Sequence, residues 1–185
     1  MPWSNVAASA PLHPGYVSGR SYRSPGSSYG TADTFTLGLI YYVPMMVHRS
    51  ASFSDIGFIV STAVVGNAKC GLYNSLSGLP SSRVVACTAV TTNTTGAQFG
   101  AFSAATIVDP GAYWLAVLFE AAAKVHTIGN ADHFSAQFIG YTSVPAANSN
   151  PQSRTESMAY GTGLPDTATP SAIGTSAPVL VMRAT

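Results

Sequence analysis

Apolar residues in this chain fall in short runs, many of them alternating with polar ones at a period of two. In Phe53–Thr62, Ile56, Phe58 and Val60 share one face, and Asp55, Gly57, Ile59 and Ser61 share the other. That is the pattern of a half-buried strand. In Ala68–Asn74, Cys70 and Leu72 point one way, Lys69 and Tyr73 the other. Ala112–Phe119 is apolar on both faces, with Tyr113, Leu115, Val117 and Phe119 set against Ala112, Trp114, Ala116 and Leu118. Such a run predicts a central strand between two covering layers. Further strands are predicted over Thr34–Ile40, Tyr41–Val47, Arg83–Val90, Gln98–Val108, His133–Tyr141 and Pro178–Arg183. Pro44 marks an edge position or a bulge.

Gly and Pro punctuate these runs throughout. Val64–Asn67 and Asp109-Pro110-Gly111 read as turns, Ser75–Ser82 and Ser143–Arg154 as loops, and Gly161–Ser176 as an extended excursion. Helix-forming composition is confined to Phe119–Lys124, enough for about one turn. The expected fold is all-β: a jelly-roll-like β-sandwich of roughly eight to ten short antiparallel strands. Residues 1–30, rich in Pro, Ser and Gly, are expected to form an extended N-terminal arm, and residues 31–185 a single sandwich domain. Ile56, Phe58, Val60, Leu72, Tyr113, Trp114, Leu115 and Val117 are the expected core.

Composition narrows the functions. With 46% hydrophobic residues in 185, the chain has enough apolar material for a core, which excludes most kinds of disorder. Eight basic and seven acidic residues give a net charge of +1, so no basic patch is available for nucleic acid. No apolar run reaches the roughly 18–20 residues of a spanning helix, so membrane insertion is not expected. The first residues carry neither the charge nor the apolar run of a secretory signal. Only 8% of residues are charged, against roughly 25–35% of a typical soluble surface. Much of the surface is therefore expected to be covered by neighbouring subunits, with Tyr41–Met46 as a covered edge and the leader as an arm reaching a neighbour.

Motifs for catalysis are lacking: there is no G-x-S-x-G, no H-E-x-x-H and no Gly-rich phosphate loop. The densest titratable cluster is His126 with Asp132 and His133, and no third ligand has diagnostic metal spacing. No catalytic residue, metal site or cofactor is predicted. Cys70 and Cys87 read as buried free thiols, although a disulfide between them remains open. The candidates for an exposed binding surface are Tyr73, Asn74, Tyr141, Asn148, Asn150 and Tyr160, since aromatic faces with amide donors suit a sugar.

Several motifs together resemble a known group. Tyr42-Val43-Pro44, Phe53-Ser54-Asp55-Ile56-Gly57, Cys70-Gly71-Leu72-Tyr73, Gly78-Leu79-Pro80, Thr94-Thr95-Gly96 and Pro110-Gly111-Ala112-Tyr113-Trp114-Leu115-Ala116-Val117 are similar to a β-sandwich domain of tailed-bacteriophage and gene-transfer-agent tail-fibre, spike and head-fibre proteins. The resemblance spans about residues 40–119. Asn74-Ser75 stands where the group carries an acidic residue, and Ser81-Ser82 where it carries Gly. The resemblance implies a non-enzymatic virion protein, assembled in the host cytoplasm and carried on the extracellular particle. Its implied partners are other virion proteins, copies of itself (a trimer by analogy) and a bacterial surface glycan. The alternative is a structural decoration or assembly subunit with no ligand of its own.

Overall fold

Side-chain alternation at a period of two builds two antiparallel sheets that face each other across an apolar core. The computed structural model describes residues 14–23, 29–129, 139 and 150–185. The first sheet contains β1 (Ser21–Arg23), β2 (Tyr29–Thr34), β4 (Ala51–Thr62), β8 (Gly96–Val108), β10 (Lys124–Ile128) and β13 (Leu180–Ala184). The second contains β3 (Leu39–Val47), β5 (Asn67–Leu76), β6 (Leu79–Ala86), β7 (Val90–Thr91), β9 (Gly111–Phe119), β11 (Ser153–Ser157) and β12 (Ala172–Gly174).

The first sheet is organised around β4. Along one side β4 pairs with β8. Along the other it pairs first with β13, Phe53 to Phe58, and then with β10, Val60 to Thr62. β1 extends the sheet beyond β13, and β2 extends it beyond β10. The second sheet runs β12-β11-β3-β9-β5-β6, with β7 also on β5. Phe53, Ile56, Phe58 and Val60 from one sheet meet Val43, Met45, Cys70, Leu72, Leu115 and Val117 from the other. The rings of Phe58 and Phe119 meet edge-to-face across the gap at 5.4 Å. Each large side chain taken fully out of water contributes roughly 1.5–3 kcal/mol, so this layer dominates the stability.

The outer face of the second sheet is also covered, which explains why β3 and β9 are apolar on both sides. Ile40, Tyr42, Tyr73, Trp114, Ala116 and Leu118 form a second buried cluster with Ile139, Leu164 and Ala168. The strap 158–171 lies over them. Gly71 leaves the space that Leu164 occupies, because a Cβ there would sit 3.0 Å from the Leu164 Cδ1. Polar side chains hold the strap down. The Tyr73 hydroxyl donates to the Pro165 carbonyl at 2.6 Å, and Lys69 Nζ donates to the Tyr160 carbonyl at 2.7 Å. Arg83 donates to the Leu164 carbonyl and pairs with Asp166. The buried Glu156 carboxylate accepts from the Tyr42 hydroxyl (2.7 Å), the Thr169 N–H (2.8 Å) and the Thr169 hydroxyl (2.9 Å). Burial and the adjacent carboxylate push the Tyr42 hydroxyl pKa well above the usual phenol value, and burial pushes that of Tyr73 up to about 12. Both therefore stay protonated donors.

The all-β sandwich is as the alternation predicts, and so is the double covering of Ala112–Phe119. Of the expected core, Tyr113 is half-buried and the other members are buried. Thirteen strands occur among the described residues, more than expected, because β1, β7 and β12 are pieces of two or three residues. Several boundaries need correction. Thr34–Ile40 is not one strand, since the chain leaves β2 at Thr34 and turns through Gly38 at φ 76°. Ser75–Ser82 is not a loop but a tight hairpin, with Ser77 and Gly78 at φ 52° and 77° between the paired Leu76 and Leu79. Two successive positive φ values are the mark of a type I′ turn, whose twist matches that of the strands. Phe119–Lys124 forms a turn rather than a helical one, leading into a strand, β10, that the sequence did not reveal. Tyr41 and Tyr42 are interior, because β11 pairs with β3 from Leu39 to Tyr42, whereas among the described residues Val43–Met46 is paired by β9 alone. Pro44 stands beyond Tyr42, where the pairing with β11 has ended, so it occupies the local edge that a strand proline requires. The described part of the leader lies on the sandwich, where β1 pairs with β13 and Tyr16 packs on Phe53 at 5.2 Å. His133–Tyr141, apart from Ile139, lies outside the described residues.

Candidate functional site

A cleft of about 380 Å³ opens where β2 of the first sheet passes the end of β3 and the β11–β12 pair of the second. Asp33 and Thr34 come from the end of β2, and Phe35 and Thr36 from the connection that follows. Leu39 and Tyr41 come from β3, Thr155 from β11, and Ile173 to Ser176 from β12 and the residues after it. The site exists because the chain stops pairing at Thr34 and turns back through Gly38 into β3, which leaves a gap between the two sheets.

Phe35 and Tyr41 form the floor. Both are buried, and their rings meet edge-to-face at 4.8 Å. The Tyr41 hydroxyl accepts the Thr36 N–H at 3.1 Å, which fixes the ring and the connection together. One Asp33 carboxylate oxygen accepts the Thr34 N–H at 2.8 Å. Thr34, Thr36 and Thr175 are exposed, and Ser176 is half-buried. The lining thus offers hydroxyls, which both donate and accept, and one carboxylate, above two buried rings. It includes no Lys, Arg or His. Such a lining suits a neutral, hydroxyl-rich ligand and disfavours an anion.

The loop residues named from sequence do not gather into one site. Tyr73 is fully buried beneath the strap and so is not an exposed aromatic. Asn150 is also buried. Tyr160 is half-buried, with the Lys69 ammonium 4.5 Å from its ring centre. Asn74 is exposed, but its amide donates to the Ser82 hydroxyl at 2.9 Å, while its carbonyl accepts from Ser81 at 3.1 Å. The two departures from the resembled pattern are therefore cross-strand partners in one hairpin. Tyr141 and Asn148 lie outside the described residues, as do Asp132 and His133. His126 lies on β10 beside Tyr29, ring centres 5.8 Å apart, and Arg23 covers the same tyrosine at 5.2 Å. Among the described residues, no three His, Cys, Asp or Glu side chains converge in a group that could hold a metal ion.

The cleft residues Asp33, Thr34, Thr36, Thr155, Thr175 and Ser176 were missed. Their only local signal is the density of Thr and Ser around Asp33 and again after Gly174. No family model, curated protein or solved structure matches the chain.

Proposed function

We propose that this chain is a glycan-attachment module of a phage-type virion, carried on a fibre or spike and assembled with copies of itself. The observation that supports the binding role is the cleft beside Asp33: hydroxyls and a single carboxylate around an aromatic floor, with no cation in the lining. Sugar hydroxyls pair with such groups. Glycoside hydrolysis generally uses a pair of carboxylates, and this lining supplies one, so the cleft suits binding without cleavage. The virion context rests on the motif resemblance over about residues 40–119. The test is an array of neutral and acidic bacterial-surface oligosaccharides probed with the wild-type chain and with Asp33→Ala. Binding confined to neutral glycans and lost in the variant is expected. A preference for acidic glycans, or binding indifferent to the substitution, would overturn it.

A second reading, a structural decoration or assembly subunit, is favoured by exposed apolar side chains. Ile107 is 73% exposed on β8, and Val65 is 85% exposed. Light scattering at low micromolar concentration addresses this reading. An oligomer, with a trimer expected by analogy, supports assembly through such surfaces, and a stable monomer near 19 kDa argues against it.

A further inference from the structure

The two cysteines, distant in sequence, are brought face to face. Gly71 pairs with Ala86 in the β5–β6 ladder, and one step further the Cys87 N–H donates to the Cys70 carbonyl at 2.9 Å. Cys70 and Cys87 are therefore directly opposed across antiparallel strands, on the side that faces the inter-sheet core. Hydrogen-bonded antiparallel partners have Cα atoms about 5.5 Å apart, within the roughly 4.4–6.8 Å that a disulfide spans. Both thiols are free in this structure, with Cys70 buried and Cys87 partly exposed. On its other side Cys87 bridges to Phe102 of β8, so this residue sits at the seam where the two sheets meet. Gly100 makes room for the sulfur, because a Cβ there would lie 2.8 Å from the Cys87 Sγ.

From this geometry we propose that Cys70 and Cys87 are a disulfide-forming dithiol, closed by low-molecular-weight disulfides such as oxidised glutathione. The two sulfurs have unequal roles. The neighbouring Cys70 thiol lowers the Cys87 thiol pKa and so favours its thiolate, while burial holds the Cys70 thiol pKa well above the usual value. The Cys87 thiolate attacks one sulfur of the oxidised glutathione and expels one glutathione thiolate, leaving a mixed disulfide. Cys70 then gives up its proton and attacks the Cys87 Sγ, expelling the second glutathione. Two protein thiols are oxidised, and one glutathione disulfide is reduced to two thiols. The closed bond ties β5 to the residue that follows β6 and adds a covalent link at the side of the sandwich.

The test treats the folded, fully reduced chain with oxidised glutathione at neutral pH. Free thiols are then counted after denaturation, and the intact mass is read. The expected result is loss of both thiols together, a mass lower by about 2 Da, no retained glutathione, and full reversal by dithiothreitol. In Cys70→Ser, which lacks the resolving thiol, a glutathione adduct on Cys87 is expected to persist. Two thiols that survive the treatment, a stable adduct on the wild-type chain, or a disulfide between two chains would each overturn the proposal. The wild-type result decides even if the variant fails to fold.

Discussion

Replacing Glu156 by Ala tests whether the strap over the second sheet is held by a buried carboxylate. Glu156 is 7% exposed and accepts three hydrogen bonds, from the Tyr42 hydroxyl and from the N–H and hydroxyl of Thr169. The substitution leaves the Tyr42 hydroxyl, fully buried, without its acceptor. An orphaned buried donor costs about 1–3 kcal/mol, and each lost bond to a charged group about 1.5–3. Thr169 is exposed and recovers its bonds with water, so its two contacts add little. Relief from burying a carboxylate offsets part of the loss. A net destabilisation of about 2–4 kcal/mol follows. Tyr42→Phe removes one donor and leaves the carboxylate two, so a smaller cost of about 1–2 kcal/mol is expected. In the double variant the orphaned hydroxyl is gone, so its cost falls short of the sum by about 1–2 kcal/mol. Chemical denaturation measures all three, and limited proteolysis locates the effect. Cleavage within 158–170 should accelerate in Glu156→Ala before the sandwich as a whole is attacked. Additive effects of the two single changes, with proteolysis of the strap unchanged, would refute the latch.

Leu115→Ala opens a cavity at a fully buried position in the inter-sheet layer and should cost about 2–5 kcal/mol in denaturant unfolding; an unchanged midpoint would place Leu115 outside the core. The Arg183 guanidinium, with Nε 3.0 Å from the Asp55 carboxylate, holds the Asp55 pKa below the usual carboxylate range. A lowered folded-state pKa gives stability that is present above the unfolded value near about 3.9 and is lost as pH falls through the folded one. Acid titration of unfolding stability should therefore decline less steeply below about pH 4 in Asp55→Asn than in the wild type, and identical slopes would remove the pair from the pH dependence.

What was legible in the sequence was whatever depends on local alternation. Ala112–Phe119 reads as apolar on both faces, and both faces are buried, one by the opposite sheet and one by the strap. In Tyr41–Met46 the same two-faced apolar pattern marks burial between layers, and the edge reading holds from Val43 on, where among the described residues β9 alone pairs with β3. Polar composition hid the Ser77–Gly78 hairpin, while the signal lay in the Ser-Gly dipeptide between two leucines. Tyr73 reads as an exposed aromatic from sequence because its cross-strand neighbour Trp114 and the covering Leu164 are remote along the chain. Glu156 gives no local sign of burial, since its partners lie 114 and 13 residues away. The cleft was the least legible element. It is assembled from residues 33–36, 39 and 41, 155 and 173–176, and no periodicity links four segments that meet only through the order of strands.

The glycan proposal stands or falls on the cleft beside Asp33. It is tested most directly by measuring the affinity of a neutral host-surface oligosaccharide for the wild-type chain and for Thr175→Trp. Thr175 is exposed on the cleft rim, so an indole there fills the opening without entering the core. A saturable wild-type isotherm is expected, with binding weakened at least about tenfold, equivalent to roughly 1.4 kcal/mol, in a variant whose melting temperature is unchanged. Equal affinity for the two chains, or no binding by either across a panel of neutral glycans, would contradict it.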